Sequence, residues 1–393
     1  MREQLEELVK EFGDTRPAFV AGETPILVDG EVVNGDESLN IINAALGDDK
    51  VDHLLSIKNK MFAYVGGTHI CISGGGISPY LVIIKALGNP SFGSRGIYAG
   101  DEIITTATNV GIINAALACG VTPVVLDLDL NTLTPSSVEI EMAIEEGKTK
   151  AIFLSSPNGN PIHGETIRNI ADEFGVLFIE DVGYGIGGKS SGLPVGDFAD
   201  VAIYSFYSSL LGEANIIVSK SNLLHDTISA AIDSPDKNSA FLGLGISNLM
   251  YGYLDAQLDK IDYYAGMRRE NFKRLSKGME KHSKWIRIQT PNDLPSWSSF
   301  LITLREPYEH KFTRLEFMEF LETKKIWSRL FTGNVFSTNS YKDTDYRTVA
   351  ELMTSDCIHR NSFIIGCHPN MQEVHVNYVI ECIDEFMSRI NDE

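Results

Sequence analysis

Between residues 68 and 218 the chain alternates short runs rich in Val and Ile with helical stretches, and this alternation restricts it to an α/β fold. The runs at 68–73, 102–106, 123–128, 151–155, 177–181, 201–206 and 216–218 are short and mostly apolar, as expected of strands buried on both faces. Segments 111–119, 138–146 and 165–174 lie between them with helical character. The second follows Thr134-Pro135-Ser136-Ser137, whose hydroxyls suit an N-cap. Strand, helix, strand at this spacing predicts a mostly parallel seven-stranded sheet with helices on both faces.

The remainder of the 393 residues is too long to join one simple core, so two domains are expected. We place an N-terminal arm at 1–30, a large domain at 31–265 and a small C-terminal domain at 266–393. The charged segment 255–281 reads as one long helix linking the two. Beyond it come strands near 300–304 and 326–330 and a closing helix at 373–389 with apolar residues at helical spacing. Residues 1–14 form a charged amphipathic helix, unlike a secretory leader. No run approaches the roughly 18 apolar residues that span a bilayer, so membrane insertion is not expected.

The formal charge is −20, from 33 basic and 53 acidic residues. That balance argues against nucleic acid and anionic membranes as partners. The five cysteines (Cys71, Cys119, Cys357, Cys367 and Cys382) include no C-x-x-C pair. Neither a disulfide framework nor a zinc site is expected, and reduced thiols suit a cytoplasmic protein.

Three segments carry possible chemistry. In Leu177-Phe178-Ile179-Glu180-Asp181 an apolar strand ends in two carboxylates. Ligands of doubly wound sheets bind at such strand ends, where a buried carboxylate can hold a protonated ring nitrogen; alternatively Asp181 caps a turn. Ser73-Gly74-Gly75-Gly76-Ile77-Ser78 is a glycine-rich passage from strand to helix, able to bring N–H groups to a phosphate. Taken alone it is also an ordinary glycine turn. The third, residues 204–213, is an apolar strand running into a hydroxyl-rich loop, in which Ser205 or Ser208 could complete a phosphate cradle.

In this order the three elements resemble the DegT-type sugar-nucleotide aminotransferase and dehydratase family of pyridoxal-phosphate (PLP) fold type I, the aspartate aminotransferase-like fold. The likeness runs over most of the chain, through AGETPILVDGEVV, GDEIITTATN, KAIFLSSPNGNP, GVLFIEDV, VGDFADVAIYSFY and SRLFTGN. It is nearest to the 3-dehydratase branch, which acts on nucleotide-linked 4-keto-6-deoxy sugars in deoxysugar and lipopolysaccharide pathways. The resemblance implies that Asp181 pairs with the pyridine nitrogen, with Tyr184 near the ring oxygen. It implies that Gly75, Gly76 and Ser205 contact the phosphate and that Asn109 lies beside the ring. Ser247 and Asn248 would reach a neighbouring subunit's site in a dimer, and the substrate would be a nucleotide-linked sugar.

The same comparison exposes departures. The family's Schiff-base lysine, replaced by histidine in the dehydratase branch, falls on Leu210, in a loop that is also shorter. Leucine can neither bind the cofactor covalently nor move a proton. The phosphate turn lacks its usual hydroxyls, the stacking aromatic is missing near Asn109, and the cysteine-containing loop expected between Ser221 and Phe241 is absent. Two readings follow. One is an enzyme that uses PLP or its amine form (PMP) noncovalently, with Tyr184, Tyr207, Glu213 or His163 as candidate base. His163 reads more simply as a surface residue and Glu213 as a turn cap. The other is a degenerate binding or regulatory subunit that pairs with an active paralogue, in which Ser247, Asn248 and Arg329 would matter more than Leu210. A cofactor-independent enzyme is a third possibility, with no Ser-His-Asp order, metal cluster or P-loop to name its reaction. Replacing Leu210 by lysine, with supporting changes, is expected to restore covalent attachment.

Overall fold

The apolar runs pair into one large sheet. The computed structural model describes residues 2–14, 18–47, 52–66, 69–233, 245–306, 311–341 and 343–392. Thr68 and part of the 221–241 loop lie outside them. In chain order the strands are β1 (His69–Gly74), β2 (Glu102–Thr106), β3 (Thr122–Leu126), β4 (Thr149–Ser155), β5 (Leu177–Gly183), a two-stranded ribbon of β6 (Lys189–Ser190) and β7 (Leu193–Pro194), β8 (Val201–Ser208) and β9 (Gly212–Ser219). Further on come β10 (Ile286–Ile288), β11 (Phe300–Leu304), β12 (Ser328–Leu330), β13 (Arg347–Thr348) and β14 (Ser362–Ile365).

The large sheet has the order β1-β9-β8-β5-β4-β2-β3-β13. All neighbours from β8 to β13 are parallel, and β9 is antiparallel to both β1 and β8. The reversal has a simple cause: only residues 209–211 separate β8 from β9, too few for a crossover. The sheet therefore has the seven expected strands and an eighth, the two-residue β13. Its sequence carries no apolar alternation; it is held instead by Arg347, whose Nε and Nη2 lie 3.0 and 2.7 Å from the Glu102 carboxylate.

Apolar residues leave both sheet faces. Ile103, Phe153, Ile179 and Ile203 pack under helices Ser78–Leu87 and Val110–Ala118. Ile104, Ile152, Leu154 and Phe178 pack on the other side, under Ser137–Ala143 and Gly164–Phe174. Two-sided burial explains why these strands read as continuous apolar runs rather than alternating ones.

The segment expected to be one helix at 255–281 is two, Asn248–Leu258 and Ile261–Met279. The break at Asp259 and Lys260 aims Lys260 Nζ at the fully buried Glu37 carboxylate, 2.9 Å away, while Asp259 takes Lys60 at 2.7 Å. These ion pairs override a sequence that is helical throughout. After the second helix a four-stranded antiparallel sheet, β10-β11-β14-β12, packs its Phe300, Ile302 and Phe363 against that helix and Glu373–Asp392. Its edge strand starts at Ser328 rather than 326, because Ile326 instead bridges Ile26 of the N-terminal segment. Among the described residues no helix is long and apolar enough to cross a membrane.

Candidate functional site

Because β4, β5 and β8 are parallel, their carboxyl ends share one edge. Asp181 lies there near the end of β5 and is only 6% exposed. Its Oδ1 accepts from Gly183 N–H at 3.0 Å. Its Oδ2 accepts from Tyr80 Oη at 3.0 Å and from Asn109 Nδ2 at 3.1 Å. Asn109 is fixed in turn as the N-cap of helix Val110–Ala118, with Oδ1 accepting from Ile112 N–H. Tyr80 reaches the carboxylate from the first turn of Ser78–Leu87 by lying across Gly111, where a β-carbon would come within 2.4 Å of the ring. Burial pushes the Asp181 carboxyl up, against the pull of its three donors. Burial and the Asp181 charge push the Tyr80 phenol well up.

Next to Asp181 runs the glycine turn. Gly76 has φ +66° and donates its N–H to Glu213 Oε2 at 2.8 Å. Glu213, near the start of β9, also accepts from Tyr184 Oη at 3.4 Å through Oε1. Ser205 on β8 donates to Asn215 Oδ1 at 2.7 Å, and Asn215 Nδ2 donates to Gly74 O at 2.9 Å, so side chains tie β8, β9 and the glycine turn together.

The hairpin that follows β8 is tight. Ser208 Oγ accepts from the N–H groups of Leu210 and Leu211, and Ser209 donates both N–H and Oγ to Glu31 Oε2, at 2.8 and 2.6 Å. Leu210 at its tip is 78% exposed.

A cavity of about 460 Å³ opens beside these groups. Asp29, Glu31, Tyr184, Tyr207, Glu213, Tyr253, Arg268, Arg329 and His368 line it with Ser205. Leu210 does not, and among the described residues no lysine does. Arg329 is paired with Asp29 at 3.0 Å. Arg268 donates to Tyr184 O and Ser296 Oγ and has no carboxylate partner among the described residues; burial lowers its pKa. Burial also pulls His368 down to about 4, so its ring is neutral at pH 7, with Nε2–H donating to Leu27 O and Nδ1 facing Gly30 without a partner.

Of the sequence candidates, Ser205, Tyr184, Tyr207 and Glu213 line the cavity, whereas Asp181, Asn109 and the Gly75–Gly76 turn are off its wall; Glu213 joins the turn to the cavity through Gly76 N–H. His163 does not. It is exposed at the start of helix Gly164–Phe174 and lines a separate groove with Asp127 and Asp129. Ser247 caps helix Asn248–Leu258 and lies off the cavity wall with Asn248. Sequence reasoning missed Tyr80, Arg268 and His368. No local motif marks them, since each reaches the site through tertiary packing.

A buried carboxylate at a strand end, a glycine turn before a helix and a mostly parallel sheet in this order define a family. Residues 59–384 match the DegT/DnrJ/EryC1/StrS aminotransferase family, and the chain belongs to it. The lipopolysaccharide biosynthesis protein RfbH of Salmonella typhimurium is 28% identical over 430 aligned positions, covering 98% of each chain. The dTDP-4-dehydro-2,6-dideoxy-D-glucose 3-dehydratase of Saccharopolyspora spinosa is also 28% identical, over 95% of this chain and 89% of its own. Among solved structures, E. coli GDP-4-keto-6-deoxy-D-mannose-3-dehydratase with bound hydrated PLP superposes with a TM-score of 0.79 at 18% identity, covering 91% of this chain and 98% of that one. Helicobacter pylori PseC, an aminotransferase of pseudoaminic acid biosynthesis, gives 0.80 at 16% identity, covering 92% and 99%. The fold is that of PLP fold type I aminotransferases.

Proposed function

We propose that this chain is a sugar-nucleotide-modifying protein of deoxysugar or lipopolysaccharide biosynthesis that holds PLP or PMP noncovalently and so is not an ordinary transaminase. The observation that carries this is the β8–β9 hairpin. It turns in three residues, leaves Leu210 in solvent, and among the described residues no lysine lines the cavity. Asp181 suits the cofactor's protonated ring nitrogen, because a buried carboxylate favours a cationic N–H partner. Asn109 orients that carboxylate. The Gly76 N–H suits a phosphate, and Ser205 would join it on releasing its proton from Asn215 Oδ1; Glu213, seated against the turn from β9, opposes the phosphate. When bound, the cofactor would supply an electron sink. Arg268, a cation without an acid partner among the described residues, suits an anionic group of the nucleotide. Tyr184, its phenol pushed up by burial and by Glu213, keeps its proton at neutral pH and can orient or protonate but not deprotonate. The charge of −20 and the five free thiols support a cytoplasmic location.

A second reading, a degenerate subunit that completes an active paralogue's site, is favoured by the carboxylate lodged in the glycine turn. One experiment separates the two. The purified protein is titrated with PLP and PMP by visible absorbance, reduced with borohydride and weighed, and nucleotide-sugar binding is measured in parallel. Saturable binding without a reducible adduct supports the first reading. Nucleotide-sugar binding with neither cofactor form supports the second. A reducible adduct on this chain removes both.

A further inference from the structure

We infer that Glu213 is a built-in anion that competes with ligand phosphate for the glycine turn, so that the cofactor cup is closed from within. The inference rests on the reading that this turn is the phosphate site of a noncovalent cofactor.

Helix Ser78–Leu87 starts at this turn, and its N-terminus lacks the usual compensation. Its N-cap, Ile77, offers no side-chain acceptor, and its first turn contains no acidic residue. Pro79 has no N–H and Ser78 donates its own to Gly75 O at 3.4 Å, so what the helix end offers an anion is its positive pole and the Gly76 N–H just before it. In this chain the anion is the Glu213 carboxylate, delivered from β9 with Oε2 2.8 Å from Gly76 N. Tyr184 Oη holds its other oxygen.

The fit depends on glycine. A β-carbon on Gly75 would lie 2.2 Å from Glu213 Cβ and 2.6 Å from its Oε2. Any side chain at position 75 would drive Glu213 out. Glycine at 75 leaves the space that Glu213 fills. A phosphate group would need the same Gly76 N–H. Two anions sharing one donor at hydrogen-bond distance repel, so one must leave. Glu213 can leave, because it lines the open cavity rather than the core.

The test uses the full chain and three proteins: wild type, Glu213→Gln and Gly75→Ser. Gln removes the charge with little change of shape. Ser restores a hydroxyl and expels the carboxylate by contact. Calorimetric titration with inorganic phosphate and with PMP, after circular dichroism confirms folding, should show both variants binding at least about tenfold more tightly than wild type, as expected when a competing charge is removed from a helix N-terminus. Equal affinities in all three proteins, or no binding by any of them, would overturn the inference. A borohydride-reducible PLP adduct on the wild type would instead remove the proposed function and leave the competition at the turn standing.

Discussion

Tyr80 Oη and Asn109 Nδ2 converge on the same oxygen of Asp181, at 3.0 and 3.1 Å. This carboxylate is thus held by protein donors, two of which sequence reading had not joined to it as a set. Each donor offsets part of the cost of burying a charge. Tyr80→Phe keeps the ring over Gly111 and removes only the hydroxyl. It should destabilise the fold by about 1.5–3 kcal/mol, the usual worth of a hydrogen bond to a charged group. Urea unfolding with an unchanged slope would confirm a loss confined to the native state. The effect should shrink at a pH low enough to protonate Asp181, because the hydrogen bond then loses its charge assistance.

Glu180, one residue earlier, points to the opposite face of the strand. It is 2% exposed, accepting from Ser156 Oγ and Gly196 N–H, and burial raises its carboxyl from the ordinary 4.5 to about 7. The native state therefore binds this proton more tightly than the unfolded chain. The stability involved is fully present below about 4.5 and is lost as pH rises through about 7, by roughly 3 kcal/mol for a shift of this size. Glu180→Gln should flatten that part of the stability profile and be the more stable protein at pH 8. Melting curves of both proteins across pH 4.5–8 would show it. A profile of unchanged slope in the variant would assign the pH dependence to other groups.

Glu102 titrates with the opposite sign. Burial pushes its carboxyl up, but the hydrogen bonds and charges of Arg347 and Lys148 outweigh this and hold it below the ordinary value. Its contribution is present above the unfolded pKa and is lost as acid protonates it. Arg347→Met strips the bidentate partner from a carboxylate that is 1% exposed, leaving Lys148 at 2.8 Å and the Thr149 hydroxyl at 3.2 Å. The expected cost is about 2–4 kcal/mol, with release of β13 from the sheet edge. Glu102→Gln in the same chain should recover much of it. If the double variant is no better than the single one, the uncompensated charge is not the cause.

How far the sequence reaches can be judged from these residues. The parallel strands were legible because two-sided burial writes itself as an apolar run, and Asp181 because it ends such a run. The glycine turn was legible as a turn. Its occupant was not, since Glu213 and Gly76 are distant in sequence and only the β1–β9 pairing brings them together. Strand β13 and the break at Asp259–Lys260 were invisible for the same reason: long-range ion pairs fix both, and local propensity carries no record of them. Tyr80 looked like one more aromatic in an apolar helix until packing against Gly111 turned its hydroxyl toward Asp181.

The hairpin specifies which supporting changes a lysine at position 210 would need. By the family resemblance Leu210 falls where the family lysine is expected, and lysine there is expected to restore attachment only with supporting changes. In the fold, β8 and β9 stay paired up to Ser208 and Gly212, and Glu31 clamps Ser209 from the N-terminal segment, so position 210 points into solvent at the tip of the turn. Leu210→Lys alone should therefore give no borohydride-reducible PLP adduct and should change stability by no more than about 0.5 kcal/mol, as for most surface substitutions. Intact-mass analysis after reduction checks this directly. Lengthening the turn to give the chain room to enter the cavity, together with the lysine, is the combination expected to produce an adduct. An adduct from the single substitution would mean that the clamp by Glu31 yields readily and that the hairpin is not what excludes covalent attachment.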